Sequence, residues 1–438
     1  MNARRLTSLL VLVVFGVAMS AAQLITGRLA TSFYAWERYD SVGASQTSIR
    51  GFQTVQLSAA QDNYALHTSF TGTTNLAGSF GDVGRVRLSN LYFSALNIGK
   101  TVDLHLGRQY VYAGVGNGSI DGLMAQARFL DGTIRATGYV GATVPADYAS
   151  FHTSLRDYAG HFGGQIVTTA IPDARIGLSY TKREEDERDP YWASRVRDSL
   201  YSPVQMLIVT EPVTEELGSV DAYYAYDDRF TVYGRYDYDL GNEQTSRAQG
   251  SLRVNVTRDL AFTGDVIHRV PRIGYYSIFS AFVTNAVDEV EGGVEYTILP
   301  LVRAFVRVAG VSYTDESSTR WTVGVNSGYG SLSYSGSNGY AGELQSLALQ
   351  GSYPFFGRMV VPTAGLSYAS YSISKESEKQ DAFGVLLGAI LRPTAAFSID
   401  AQAQMLNNKL MKHDVRLQLK LSYRFAQRLS IFTGEGNQ

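Results

Sequence analysis

The 438-residue sequence contains no cysteine, so the chain forms no disulfide and offers no thiol for lipid attachment or thiolate metal ligation. Long apolar runs are also missing. Past residue 23 none reaches the about 18 to 20 residues that a helix needs to cross a bilayer, so a membrane role falls to strands. Charge of one sign is absent too: 38 Lys and Arg stand against 40 Asp and Glu, a net of −2. That balance carries no electrostatic footprint for nucleic acid or for a strongly acidic or basic partner. Proline is scarce at 10, whereas there are 43 Gly, 29 Tyr and 20 Phe, a composition that favours twisted strands and tight turns over helices.

The N-terminus reads as a secretory signal. Arg4 and Arg5 precede an apolar run over 9–19, which ends in the small residues Ser20, Ala21 and Ala22. Small residues two apart suit cleavage before Gln23, and the run is too short to span a bilayer as a helix. A signal over 1–22 and a mature chain over 23–438 are therefore expected.

Beyond the signal, period-two alternation recurs along the chain and places successive side chains on opposite faces of strands. Over 247–257 one face holds Arg247, Gln249, Ser251, Arg253, Asn255 and Thr257, and the other Ala248, Gly250, Leu252, Val254 and Val256. Phe230, Val232, Tyr236 and Tyr238 likewise alternate with Thr231, Tyr233, Arg235, Asp237 and Asp239. Near the end, Val415, Leu417, Leu419, Leu421, Tyr423 and Phe425 alternate with Arg416, Gln418, Lys420, Ser422 and Arg424. A single strand of this kind suits a soluble sandwich as well as a barrel; the series decides.

Segments of about 10 to 14 residues are joined alternately by short and long connections, as in outer-membrane barrels. Turn-forming residues mark short turns at 60–62, 99–100, 131–132, 172–173, 227–228, 258–259, 299–300 and 392–394. Long connections fall at 41–47, 72–84, 143–159, 184–216, 271–286 and 374–380. The expected fold is all-β: an up-and-down antiparallel transmembrane barrel of about 18–22 strands, with about 22 by direct count and a stretch at 320–353 that divides in more than one way. Alternation starts by Leu29, which leaves no place for an N-terminal plug, and the last clear strand ends near 425, followed by a short tail. Aromatic pairs at Tyr34 and Trp36, Tyr110 and Tyr112, Tyr223 and Tyr224, and Tyr368 and Tyr371 suit an interfacial belt, or simply the preference of aromatics for strands.

The segment Leu104-His-Leu-Gly-Arg-Gln109, with Ile120-Asp121-Gly122 opening the next strand, resembles the alginate-export and related porin-like families. That resemblance implies an outer-membrane barrel of about 18 strands with an arginine-lined lumen. It spans only about 20 residues and lacks those families' longer tryptophan-bearing insertion, which argues against alginate itself as substrate. Leu421-Ser-Tyr-Arg-Phe425 is similar to the aromatic-ended final strand recognised by the outer-membrane assembly machinery, although this chain runs on from Ala426 to Gln438.

The polar strand faces supply the candidate pore lining: Arg85, Arg87, Asp103, His105, Arg235, Asp237, Asp239, Arg247, Arg253, Glu289, Glu291, Glu295, Arg303, Arg307, Arg416, Lys420 and Arg424. If 299–300 is the turn, Glu295 faces Arg303 and Glu291 faces Arg307 across adjacent strands. Such ladders either neutralise one another and fix register, the reading we favour, or bind a solute. Arg108 either projects into the pore or anchors a loop to the wall. The long connection 184–216 either folds inward to narrow the channel or ends in a solvated charged tip.

Catalysis has little support. No two of the six histidines sit at metal-ligand spacing, no nucleophile motif surrounds a serine, and no phosphate-cradling glycine loop appears. The expectation is a channel in the bacterial outer membrane that passes small hydrophilic solutes or ions, needs no cofactor, and has lipid and the assembly machinery as partners. The alternatives are a structural or adhesive barrel with a loop-blocked lumen and, further off, an outer-membrane hydrolase. The sequence leaves the solute, the ion preference and the oligomeric state open.

Overall fold

The alternating segments become the staves of one closed sheet. A computed structural model describes residues 24–39, 45–78, 86–144, 160–184, 191–197, 202–208, 214–272, 285–314, 316–340, 342–374 and 377–428. Twenty-two strands pair antiparallel with their neighbours, and the first, Leu24–Tyr39, pairs with the last, His413–Arg428. The ambiguous stretch resolves into Ser317–Ser327, Gly330–Gly339 and Gly342–Ser352. The final strand continues past 425 because Leu24 lies opposite Arg428 and keeps those residues in the ladder. The expected signal at 1–22 and the tail beyond 428 lie outside the described residues.

Strands of 9 to 17 residues meet the about 9 to 11 tilted residues needed to cross hydrocarbon. With neighbours about 4.8 Å apart and a tilt of about 40°, such a cylinder measures roughly 40 Å across between backbones.

Every expected short turn is present at one end of the cylinder. Asp62, Lys100, Asp131, Asp173, Asp227 and Asp228 take positive φ there, the left-handed conformation of the tight turns whose twist matches that of the flanking strands. The long connections all open at the other end, but the two classes do mix: 114–115, 240–243 and 340–341 are short connections on the long-loop end. The connection 185–213 carries a separate hairpin, Tyr191–Arg197 with Pro203–Ile208; apart from Ser202, its other residues lie outside the described set.

Closure leaves only two faces. On one, Leu106, Val140, Leu178, Val290, Val308 and Leu387 are all at least half exposed, an extent of bare apolar surface that water does not tolerate and lipid does. On the other, long polar side chains reach over an intervening strand to meet, as Arg253 does with Glu295 and Arg320 with Glu291. Side chains converge in this way on a concave wall, so the charged face is the lumen.

The aromatic belt is built only in part from the residues expected: Tyr224 and Tyr368 face outward, Tyr224 packing against Phe230, and the others do not. Tyr34 and Trp36 alternate with outward Leu29 and Phe33 and so face inward; Tyr223 and Tyr371 also lie on the polar face. Outward aromatics instead gather at the short-turn end: Tyr64 stacks on Phe93, Tyr226 on Phe230, and Tyr329, Tyr353 and Phe355 form a chain.

One hairpin leaves the wall. Val102–Ala113 pairs with Val86–Ile98 only as far as Arg108 opposite Leu91, and beyond it the hairpin with Gly116–Phe129 curls inward. Gly107 lies opposite Gly122, and Gly122 opposite Gly141. A side chain on Gly107 or Gly122 would strike the backbone of Leu91 or Val140, and Gly107 has φ +127, so glycine is what lets the sheet roll here. The tip rests on the inner wall: the Val115 N–H donates to Ser179 Oγ at 2.9 Å. Val111, Ala113, Ile120 and Tyr139 are buried together beneath it with Met124, and fully burying Val111 or Ile120 contributes about 1.5–3 kcal/mol each. The chief apolar core thus lies between hairpin and wall, since the barrel's centre is lumen.

Closure of the ring is testable because the chain has no thiols of its own. Ala30→Cys with Ser422→Cys, directly opposed across the first and last strands, should form a disulfide under mild oxidation and shift the mobility of the boiled protein on gels. A folded double variant whose two thiols stay free would contradict the seam.

Candidate channel lumen

The charged lining concentrates on neighbouring strands, because every second residue of each faces inward and several of those positions carry ionisable side chains. On Val287–Leu299, Glu289, Glu291 and Glu295 share the inner face. Glu295 is nearly buried and accepts from Arg253 at 2.8 Å, Arg307 at 3.2 Å and Arg303 at 3.3 Å. Arg307 lies 3.9 Å from Glu291, and Arg320 bridges Glu291, at 3.0 Å, and Glu289. Four arginines thus meet three glutamates in one continuous network.

The residues expected to meet do so, but in another register. Thr297 lies opposite Arg303 and Gly293 opposite Arg307, so Glu295 and Glu291 sit diagonally from the arginines and not directly across. The tight turn falls at 300–301, a residue later than expected, with Leu299 still paired to Val302. Diagonal neighbours remain within reach of long side chains, which is why one glutamate collects three partners.

The other candidates fall as follows. Arg235 donates from Nε to Asp237 at 2.8 Å, and Ser219 donates to the same carboxylate at 2.6 Å. Asp103 is held by Arg128 at 2.5 Å and by the Asn97 backbone N–H at 2.7 Å; Arg128 also donates to Asn97 Oδ1 at 2.8 Å. His105, on the same face, packs near Tyr92, which stacks on His67 with ring centroids 4.7 Å apart. Arg416 pairs with Asp414 at 2.6 Å. Arg87 lies opposite Thr71 and is exposed, its strand face set by an irregularity between Ser69 and Phe70. Arg85 lies outside the described residues.

Arg108 does not line the pore. It is fully buried, with Nε and Nη2 donating to the two oxygens of Asp121 at 2.7 and 2.6 Å and Nη1 donating to the Leu88 carbonyl at 3.2 Å. Leu88 belongs to the neighbouring strand at the height where the curling hairpin parts from it. The guanidinium therefore supplies a donor to a carbonyl that the departing strand would otherwise have satisfied. Gln109 adds bonds to the His105 and Gly122 carbonyls at 3.2 and 3.4 Å. The Gly-Arg-Gln and Asp-Gly elements are two sides of one hinge.

Beneath the hairpin tip, Tyr139 Oη lies 2.7 Å from Thr181 Oγ1, and His161 Nε2 lies 3.2 Å from the same oxygen. This buried polar network supports the docked tip. On the hairpin's opposite face Tyr110 and Tyr112 stay well exposed, turned away from the wall. Among the described strands, the substantial packing between elements that are not sheet neighbours belongs to this hairpin.

Sequence reasoning missed several members of these networks. Arg128, Arg320 and the Arg175–Asp221 pair could have been placed by the same alternation, since Arg128 follows Met124 and Gln126 on one face and Arg320 precedes outward Trp321. The inward curl had only one signal, the density of glycine at 107, 114, 116, 118 and 122.

Glu295→Gln should leave Arg253 and Arg303 without a counter-charge and Arg307 with Glu291 alone, and lower stability by about 1–2 kcal/mol, reduced from the value for a fully buried pair because the arginines are partly solvated. Denaturant unfolding of the refolded barrel measures it; an unchanged midpoint would show that the network contributes nothing to the fold.

No protein-family model matches the sequence, and no curated protein matches it. Among solved structures, the chain is similar to the P pilus usher (PapC) translocation pore at 9% identity, covering 93% of this chain and 100% of that one, with a TM-score of 0.49. It is similar to OpdQ of Pseudomonas aeruginosa at 10% identity, over 92% and 97% of the two chains, with a TM-score of 0.40. A BenF-like porin from Pseudomonas fluorescens gives 10% identity, 93% and 100% coverage and a TM-score of 0.39. Similarities of this size carry no statement about what this chain binds or passes; the closed 22-stranded barrel rests on its own pairing.

Proposed function

We propose that the protein is a passive channel of the bacterial outer membrane, through which small hydrophilic solutes or ions move down a gradient. The observation that carries this reading is the conjunction of an apolar outer surface with a wide lumen lined by paired charges. A purely structural barrel has no need to keep ionised groups along its inner wall, whereas a water-filled pore solvates them at little cost and uses them to sort solutes. In this reading the short turns face the periplasm and the long loops the exterior, and the curled hairpin narrows the pore beside its docking wall. The resemblance of the hinge to alginate-export porins agrees with a pore, and the buried Arg108 agrees with a hinge function over a solute contact.

Purified protein in planar bilayers should give discrete conductance steps. A folded barrel without steps would point to the loop-blocked scaffold instead. Gly116→Val, whose side chain would strike Tyr139, should unseat the hairpin tip and change the unitary conductance without loss of the barrel. Conductance identical to wild type would remove the hairpin from the conduction path.

A further inference from the structure

We propose that the recess at the short-turn end of the lumen, built around Arg28 and Arg424, is a binding site for a small solute bearing a carboxylate or phosphate group. Arg28 and Arg424 lie directly opposite each other across the closing seam, an arrangement of like charges that weakens a sheet unless something compensates it. On its other side Arg28 faces Gln56, which carries no charge. Both arginines occupy the inner face, since Leu29 and Tyr423 beside them point outward.

The recess, of about 470 Å³, is lined also by Arg358, Arg392 and Lys420, with Asp400 as its one acid. Asp400 lies opposite Lys420 in the ladder but accepts from Gln402 at 3.1 Å. Among the described residues, none of the five bases has a carboxylate within ion-pair distance, and Arg28 Nε is buried with no hydrogen-bond partner. By contrast the arginines at 108, 128, 175, 235, 253 and 416 each hold a carboxylate. A desolvated N–H without a protein acceptor, inside a cluster of uncompensated positive charge, is the donor set that an anion satisfies.

The floor of the recess is tied in place. The Arg392 backbone N–H donates to the Met359 carbonyl at 2.7 Å, and its Nη1 to the Arg358 carbonyl at 3.4 Å, so two turns are bound together beneath the arginines. A second recess shares Arg28 and Arg424 and continues past Gln56, Ser58, Asn90 and Tyr92. Two guanidiniums suit the planar fork of a carboxylate or the oxygens of a phosphate, and the neutral side chains alongside offer partners for hydroxyl groups. The site itself stands on this geometry; its part in transport rests on the channel reading.

Calorimetric titration of the refolded full-length protein with inorganic phosphate, and separately with succinate, should show saturable binding of at least one. Preference between the two probes identifies which chemistry the recess takes. Binding should weaken about tenfold or more in R28Q/R424Q and persist in R135Q, a lumen arginine outside the recess. The double variant relieves a repulsion and should fold; in thermal unfolding, the bound probe should raise the wild-type midpoint and leave that of R28Q/R424Q unmoved. Saturable binding by neither probe, or binding equal in wild type and R28Q/R424Q, would overturn the site. A protein that conducts without binding loses the site and keeps the channel; one that binds without conducting does the reverse.

Discussion

Hydrocarbon offers no hydrogen bonds, so every backbone N–H and C=O at membrane depth has to find its partner within the protein. That requirement shapes the whole molecule. It forbids a free sheet edge and makes the pairing of Leu24–Tyr39 with His413–Arg428 the contact on which the other twenty strands depend. Once the ring closes, period-two alternation divides the chain into a lipid side and a water side.

The same demand explains the hinge. Where the hairpin curls away from Val86–Ile98, the ladder is interrupted, and the buried Arg108 guanidinium reaches the Leu88 carbonyl while Asp121 neutralises its charge. Glycines at 107, 122 and 141 let the sheet roll, and the tip recovers burial against Tyr139 and hydrogen bonding against Ser179. A departure from the regular barrel is thus offset locally, by one ion pair, a line of glycines and a small apolar core. Around Glu295 the lumen balances its charges through a diagonal network. The recess at the Arg28–Arg424 seam instead gathers five bases around a single acid.

Much of this was legible in the residues. The inward faces of 247–257 and 415–425 follow from alternation alone, and Asp227 and Asp228 mark a tight turn by composition. Arg108 illustrates the opposite case. Its parity and motif were equally compatible with a pore side chain and an anchor, because burial depends on a strand bending at Gly107, which alternation does not encode. Tyr34 and Trp36 look like belt residues by type, but parity against Leu29 and Phe33 sends them inward. Arg28 was invisible as a site residue for a different reason: its partner is almost 400 positions away, and only closure brings them together.

What the sequence determined by itself, then, is the barrel, its turns and the polarity of its two faces, since these follow from a side-chain period and from turn chemistry that are local. Register, curl and the grouping of charges were decided by the tertiary structure. They depend on where a turn places its tight bend, where glycines permit the sheet to roll, and which distant strands closure makes neighbours. A displacement of two positions turned facing pairs into a shared network around Glu295, and closure alone set Arg28 against Arg424.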